Sequence, residues 1–304
     1  MSEKKIDRLD LKIVYKCNNF CRFCVNSKND RNLPGITKHD IKTKLREGRR
    51  KGAVEVAFSG GEPTIRKDII ELVKFSKETG YETIMLITNG RMLSDKNFAH
   101  KIIDAGANKF MVSIHGNEKT HDYLTRTNGS FKQTIDGIKN IKSHGATLIT
   151  ETVVNKLNYK KLPETINNLV SYGSGICQID FVIPSGEAIK NKDEIIPKYE
   201  ETTKYVYKTI ENLKINGNSD KIIVMGFPKC FMQGYESYMN EPNIPNIKIS
   251  SEKDEQNTKN YNQHRAKNKI KTKKCQKCKD FYTCEGIWKN YLEIHGSGKV
   301  SKFN

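Results

Sequence analysis

The sequence predicts an α/β protein, a partial (β/α)6 barrel of the TIM-like kind followed by a small cysteine-rich C-terminal extension. Three observations lead there. From residue 10 to about 226, short apolar runs alternate with amphipathic stretches of helical period, the pattern of repeated β-α units on a parallel sheet. Several helical stretches end in a glycine of the kind that caps helices, as at Gly80, Gly106 and Gly145. After Pro228 the alternation stops, and order returns only in a segment with three cysteines.

In chain order, strands are expected at 10–15 (DLKIVY), 54–58 (VEVAF), 83–88 (TIMLIT), 109–114 (KFMVSI), 147–154 (TLITETVV) and 176–183 (ICQIDFVI). Helices are expected at about 39–51, 68–79, 95–105, 130–144, 160–173 and 194–215. Six units make a curved, partly closed barrel with right-handed crossovers and short connections. A further strand at 221–226 (KIIVMG) closes or extends the sheet. The expected division is a core barrel over 1–226 and an extension over 227–304. That extension includes a polar insertion, 240–272, read as a long loop or partly disordered stretch. Cys177, inside the sixth strand, reads as a small buried hydrophobe.

The formal charge of +18 invites a nucleic-acid reading, yet the lysines are spread along all 304 residues and accompany abundant Asn and Ile. This is compositional bias rather than a basic face, so nucleic acid is set aside as a partner. The N-terminus MSEKKIDRLDLKIVYK has charge but no apolar core of a secretory signal. The eight cysteines are therefore expected as reduced thiols in a cytoplasmic protein. No run reaches the ~18 apolar residues of a membrane span.

Directly after the first strand comes CNNFCRFC, with Cys17, Cys21 and Cys24 spaced three and then two residues apart. Such a loop can wrap three thiolates round one face of a 4Fe-4S cubane, leaving one iron open to a small molecule. A structural zinc knuckle is the alternative, but no nearby His or Cys completes it. Residues 58–63, FSGGEP, end the second strand with two glycines that admit close backbone approach and a following carboxylate. These two segments resemble the signature of the radical S-adenosylmethionine superfamily, in which an aromatic stands just before the last cysteine, as Phe23 does here. The resemblance implies a 4Fe-4S cluster on Cys17, Cys21 and Cys24 that cleaves S-adenosylmethionine to a 5'-deoxyadenosyl radical. It also matches Gly60, Gly61 and Glu62 to the methionine amino group, and Ser113 (in SIHG) and Arg126 to the ribose and carboxylate.

Cys275, Cys278 and Cys284 form a second group, CQKCKDFYTC, with Cys230 (in FPKCF) the candidate fourth ligand from a distance. Four thiolates suit zinc or a second 4Fe-4S cluster. The resemblance tips this to an auxiliary 4Fe-4S cluster in a twitch or SPASM-like extension, as in molybdenum-cofactor cyclases and peptide maturases. It further implies a peptide or small-molecule substrate and a reducing partner of flavodoxin or ferredoxin type. Only 16 residues precede Cys17, so no fused peptide-recognition domain is expected. Substrate is expected at the barrel mouth near His115, Glu151, Asn155 and Asp180. The competing class is a zinc- or iron-sulfur-containing protein that binds or modifies nucleic acid.

Overall fold

A computed structural model describes residues 6–240, 247–250, 259–260 and 267–296. Seven parallel strands carry the chain: β1 (Arg8–Val14), β2 (Glu55–Gly60), β3 (Thr83–Thr88), β4 (Lys109–Ser113), β5 (Thr147–Val154), β6 (Ile176–Phe181) and β7 (Ile222–Met225). Helices α1 (Lys38–Arg50), α2 (Ile69–Glu78), α3 (Lys96–Asp104), α4 (Glu118–Thr125), α5 (Ser130–Ser143) and α6 (Leu162–Ser171) connect them. Beyond β6 lie the short α7 (Glu187–Lys190) and α8 (Lys192–Ile195), then the long α9 (Tyr199–Ile215). The strands lie side by side in chain order, from β7 at one edge to β1, so β7 extends the sheet rather than closing it.

Strand alternation sorts the two faces. Leu11, Phe58, Leu86, Phe110 and Leu148 stand in one register row across five strands, all buried. Each contributes about 1.5–3 kcal/mol of burial. Lys12, Ser59, Ser113, Glu151 and Gln178 occupy alternate positions and line the cavities on the opposite face, where they stand among apolar side chains such as Ile87, Val153 and Met225. Cys177 is fully buried, as expected of a small hydrophobe.

Three elements depart from expectation. Helix α4, not anticipated, is short and polar, and is started by the Asn117 side chain accepting from the Thr120 amide at 3.1 Å. The stretch 194–215 is broken, because Pro197 holds Ile196 in extended geometry (ψ 108°) between α8 and α9. Within the polar stretch 240–272, β8 (Ile247–Ser250) pairs in parallel with β1, Ile247 opposite Arg8. Strand β9 (Lys259–Asn260) then pairs antiparallel with β8. That stretch thus completes a sheet edge rather than forming only a loop; the disorder expected of its other parts falls on 241–246, 251–258 and 261–266, outside the described residues.

The extension is seated on the core. Strands β10 (Lys269–Ile270) and β11 (Ile287–Trp288) pair antiparallel, and α10 (Lys289–His295) follows. Tyr291 lies 4.4 Å from the Tyr199 ring, its hydroxyl accepting from the Tyr199 amide at 3.0 Å. Among the described residues no helix is long and apolar enough to cross a membrane.

Candidate functional site

The C-terminal strand ends and the loop after β1 enclose a cavity of about 370 Å³. Cys17, Cys21 and Cys24 line it together with Phe23, Arg31, Gly60, Gly61, Thr88, Asn89, Ser113 and His115. A second cavity of about 560 Å³ reaches deeper. Both are lined by Lys12, Ser59, Glu151, Gln178 and Trp288, so the two read as lobes of one chamber.

The cysteine loop is braced from several sides. The Phe20 and Arg22 amides donate to the Thr125 and Leu124 carbonyls at 2.8 and 2.9 Å, tying the loop to the end of α4. Arg91, after β3, donates to the Asn18 carbonyl and to Asn19 Oδ1 (3.0 Å), and Arg31 donates to the Asn19 carbonyl at 2.5 Å. The Glu187 amide donates to the Cys24 carbonyl at 2.8 Å.

All eight cysteines are free thiols. Burial pushes the Cys17 thiol up to about 11 and Cys21 higher, while the nearby Arg31 cation acts against both shifts. Iron binding would therefore displace protons from them. Cys17 Sγ accepts from the Asn19 amide at 3.4 Å and faces Asn89 Nδ2 at 3.8 Å, donors of the kind that steady a cluster thiolate. Three thiols on the wall of one cavity, with no disulfide among them and polar donors beside them, fit a cluster ligated from one side. Among the described residues, however, no group of three Cys, His, Asp or Glu side chains is gathered as a ready metal cage.

The glycines have a clear local cause. A Cβ on Gly60 (φ 130°) would lie 2.1 Å from the Val14 carbonyl oxygen, and one on Gly61 2.2 Å from that of Lys16. Only glycine lets the end of β2 nest against the chain leaving β1. Glu62 is fully buried and does not line the chamber. Its carboxylate accepts from Thr64 N (3.0 Å), Thr64 Oγ1 (2.6 Å), Thr88 Oγ1 (2.7 Å) and Asn89 N (2.7 Å). The geometry makes it a clamp between the ends of β2 and β3, where the resemblance assigned it to a ligand. Burial raises its pKa, and these four donors oppose the shift.

Ser113 lines the chamber and donates to Glu151 Oε2 at 3.1 Å. Phe23 packs edge-on to His115 at 4.6 Å. His115 is buried, with its pKa well below the usual imidazole range because burial disfavours its charge. Glu151 and Asp180 also face the chamber. Besides Glu62, two expected residues do not. Arg126 is exposed at the left-handed end of α4 (φ 52°), donating to Asn191 Oδ1 at 3.3 Å. Asn155 is buried in a turn, its Oδ1 accepting from the Leu157 amide at 3.0 Å. Asn89 falls in TNG at 88–90, a strand end where the resemblance implies contacts to S-adenosylmethionine, whereas Arg31, Arg91 and Trp288 carry no such signal in the sequence. Each follows a turn or an unremarkable strand, and only tertiary placement brings it to the site.

At the other cysteine group, Cys230 sits in the turn after β7, and burial pushes its thiol up to about 12, with Cys284, Cys275 and Cys278 adding repulsion in that order. The fold therefore brings Cys230 into the neighbourhood of the three. Cys284 Sγ accepts from the Gly286 amide at 3.4 Å, and Cys275 Sγ lies 3.5 Å from Thr272 Oγ1.

Residues 11–169 match the family described as "Radical SAM superfamily". The "Probable GTP 3',8-cyclase" of Methanocaldococcus jannaschii is 30% identical over 241 residues, 78% of this chain and 74% of that protein. The "PqqA peptide cyclase" of Bradyrhizobium diazoefficiens is 28% identical over 218 residues, 70% of this chain and 57% of the relative. The chain thus spans between about half and three quarters of these curated relatives' lengths. Among solved structures, Streptococcus suis SuiB bound to precursor peptide SuiA superposes with a TM-score of 0.70 at 15% identity, covering 95% of this chain and 73% of that one. At that identity the likeness concerns the fold.

Proposed function

Since this chain belongs to the Radical SAM superfamily, whose enzymes use a 4Fe-4S cluster and S-adenosylmethionine, we propose that Cys17, Cys21 and Cys24 hold that cluster at the head of the chamber. When bound, cluster and S-adenosylmethionine supply reductive cleavage to a 5'-deoxyadenosyl radical, which removes a hydrogen atom from substrate. The carrying observation is that these thiols share one cavity with the Gly60–Gly61 backbone, Phe23 and Ser113.

The chain's own part is orientation and enclosure. Gly60 and Gly61 present backbone to the methionine end, and Ser113, held by Glu151, presents a hydroxyl to the sugar or carboxylate. Glu62 acts behind them by fixing the strand ends. Phe23, His115, Val153, Phe181 and Trp288 give apolar walls that keep water from a reactive radical. Substrate fills the deeper lobe, and a peptide is the favoured class, supported by the named peptide cyclase relative and the peptide-bound neighbour. A small molecule is the second reading, supported by the 30% identity to the cyclase of M. jannaschii.

On the same reading, residues 1–226 are the catalytic barrel and 227–304 an extension in which Cys230, Cys275, Cys278 and Cys284 ligate a second 4Fe-4S cluster, and the protein works in the cytoplasm. The nearness of Cys230 to Cys284, Cys275 and Cys278, which add to the rise that burial gives its thiol, supports a common site. Anaerobically reconstituted protein with dithionite and S-adenosylmethionine is expected to release 5'-deoxyadenosine, measured chromatographically. Absence of that product from iron-replete protein would refute the proposal.

A further inference from the structure

The roof of the chamber holds a hydrogen-bond donor without an acceptor. Among the described residues two buried side-chain nitrogens lack a hydrogen-bond partner, His121 Nε2 and Trp288 Nε1. His121, packed against the rings of His115 and Phe131, lines neither lobe. Trp288 lines both, and only 8% of it is exposed. An indole N–H can only donate, and when buried it usually finds an acceptor. The ring is held in place without that N–H: β11 pairs with β10, Lys269 opposite Trp288, and the Lys269 ammonium, ion-paired with Glu285 at 2.5 Å, stands 5.0 Å from the indole ring. The Lys289 amide donates to the Asn268 carbonyl at 3.0 Å, and Asn290 Nδ2 donates to the Pro184 carbonyl, 2.9 Å away on the loop after β6. The extension thus covers the deeper lobe with a donor whose position is fixed.

We propose that Trp288 Nε1 donates to a backbone carbonyl of a peptide substrate lying in the deeper lobe. This deepens the proposed function and rests on it. The remaining polar lining of the lobe selects the ligand class. Asn26, Gln178, Asn240, Asn268 and Asn290 bring five carboxamides to its wall, groups that both donate and accept as a peptide unit does. Its charged residues are Arg8, Lys12 and Lys289 against Asp10 and Glu151, and Arg8 is already ion-paired with Asp10 at 2.8 Å. A nucleotide polyphosphate calls for several Arg or Lys side chains clear of carboxylates, whereas a neutral backbone calls for amides and single donors. Trp288 binds rather than reacts: by fixing one carbonyl it sets which substrate hydrogen faces the head of the chamber.

The test uses peptides and the chain's single tryptophan. A synthetic random library of acetylated, amidated decapeptides is selected on cluster-reconstituted protein held with S-adenosylhomocysteine, and the tightest binder that changes the Trp288 emission is kept as the probe. Its Kd should rise about five- to tenfold in Trp288→Phe, which keeps a ring and loses the N–H. Backbone ester replacements in the probe, one position at a time, weaken a single carbonyl acceptor, and one of them should cost several-fold more affinity in wild type than in Trp288→Phe. That coupling separates a hydrogen bond from lost packing. In wild type, with no variant needed, the ultraviolet resonance Raman band that reports indole N–H hydrogen bonding should shift as the probe binds. An unshifted band with peptide bound, equal affinity in the two proteins, or a library that yields no binder overturns the inference. So does GTP displacing the peptide and moving the same band, which would assign the lobe to a nucleotide. Peptide binding is read without the cleavage reaction, so wild type that releases no 5'-deoxyadenosine with dithionite would instead refute the proposed function.

Discussion

The two cysteine groups are held in opposite ways. The loop of Cys17, Cys21 and Cys24 is gripped from outside, by α4 carbonyls, by Arg91 after β3 and by the amide that begins α7. The group of Cys275, Cys278 and Cys284 is held mainly by its own turns: Cys275 N to Thr272 O, Cys278 N to Cys275 O, and Cys284 N to Asp280 O. Its described side-chain tie to the core near these turns is Lys229, which reaches Thr283 at 2.8 Å and Asp280 at 3.6 Å. A site braced by the barrel keeps its shape without metal, whereas a site braced by itself depends on what it binds.

The largest effect that tests this contrast is total. Changing Cys17, Cys21 and Cys24 to Ala should abolish 5'-deoxyadenosine release and cut iron from about eight to about four per chain, with two cubanes at four irons each. The thermal midpoint of the metal-free form should scarcely move. If the variant unfolds, the loop needed its cluster and the contrast fails.

Next in size is Glu62→Ala, which strips four buried donors of their acceptor and should cost about 2–4 kcal/mol in urea unfolding. Product release should fall with it, since the strand ends beneath Gly60 and Asn89 lose their tie. A variant of wild-type stability would show that the clamp is not one. Smaller still, Cys275→Ala/Cys278→Ala should halve the iron yet leave dithionite-driven product release within several-fold of wild type. Trypsin should then cut at Lys273, Lys274 or Lys277 far sooner than in the parent. Cys230→Ser should reproduce the iron loss; full iron in that variant would remove Cys230 from the ligand set.

Much of this was legible in sequence because the signals are local. Apolar alternation located seven strands, since each buries one face against helices. The cysteine spacing and the paired glycines marked the chamber for the same reason: each works within a few residues. What stayed hidden depends on distant partners. IKIS, in a polar stretch, becomes β8 only because β1 offers an open edge. Glu62 reads as a ligand until Thr88 and Asn89 arrive from β3 to occupy it. Arg126 falls near the mouth in sequence, but its place at the end of α4 turns it outward, and Arg91 braces a loop more than 70 residues away.

Acid provides the finest test, because two buried histidines stand beside the first group. His121, fully buried on α4, has its pKa held down to about 4, chiefly by burial, with Asp122 opposing and Arg91 adding to the shift. A histidine depressed in the folded state gives stability that is whole above its unfolded value near 6.5 and is lost as pH falls toward 4. At pH 5 the loss amounts to about 2 kcal/mol. His115, stacked on His121 at 5.5 Å, is shifted the same way. Since the end of α4 supplies the carbonyls that receive the Phe20 and Arg22 amides, those two should lose exchange protection between pH 7 and pH 5, after correction for intrinsic rates. Amides of 275–284 should not. His121→Asn should flatten the pH dependence of both stability and loop protection. Equal loosening of the two cysteine groups in acid would mean that the first is not braced through α4.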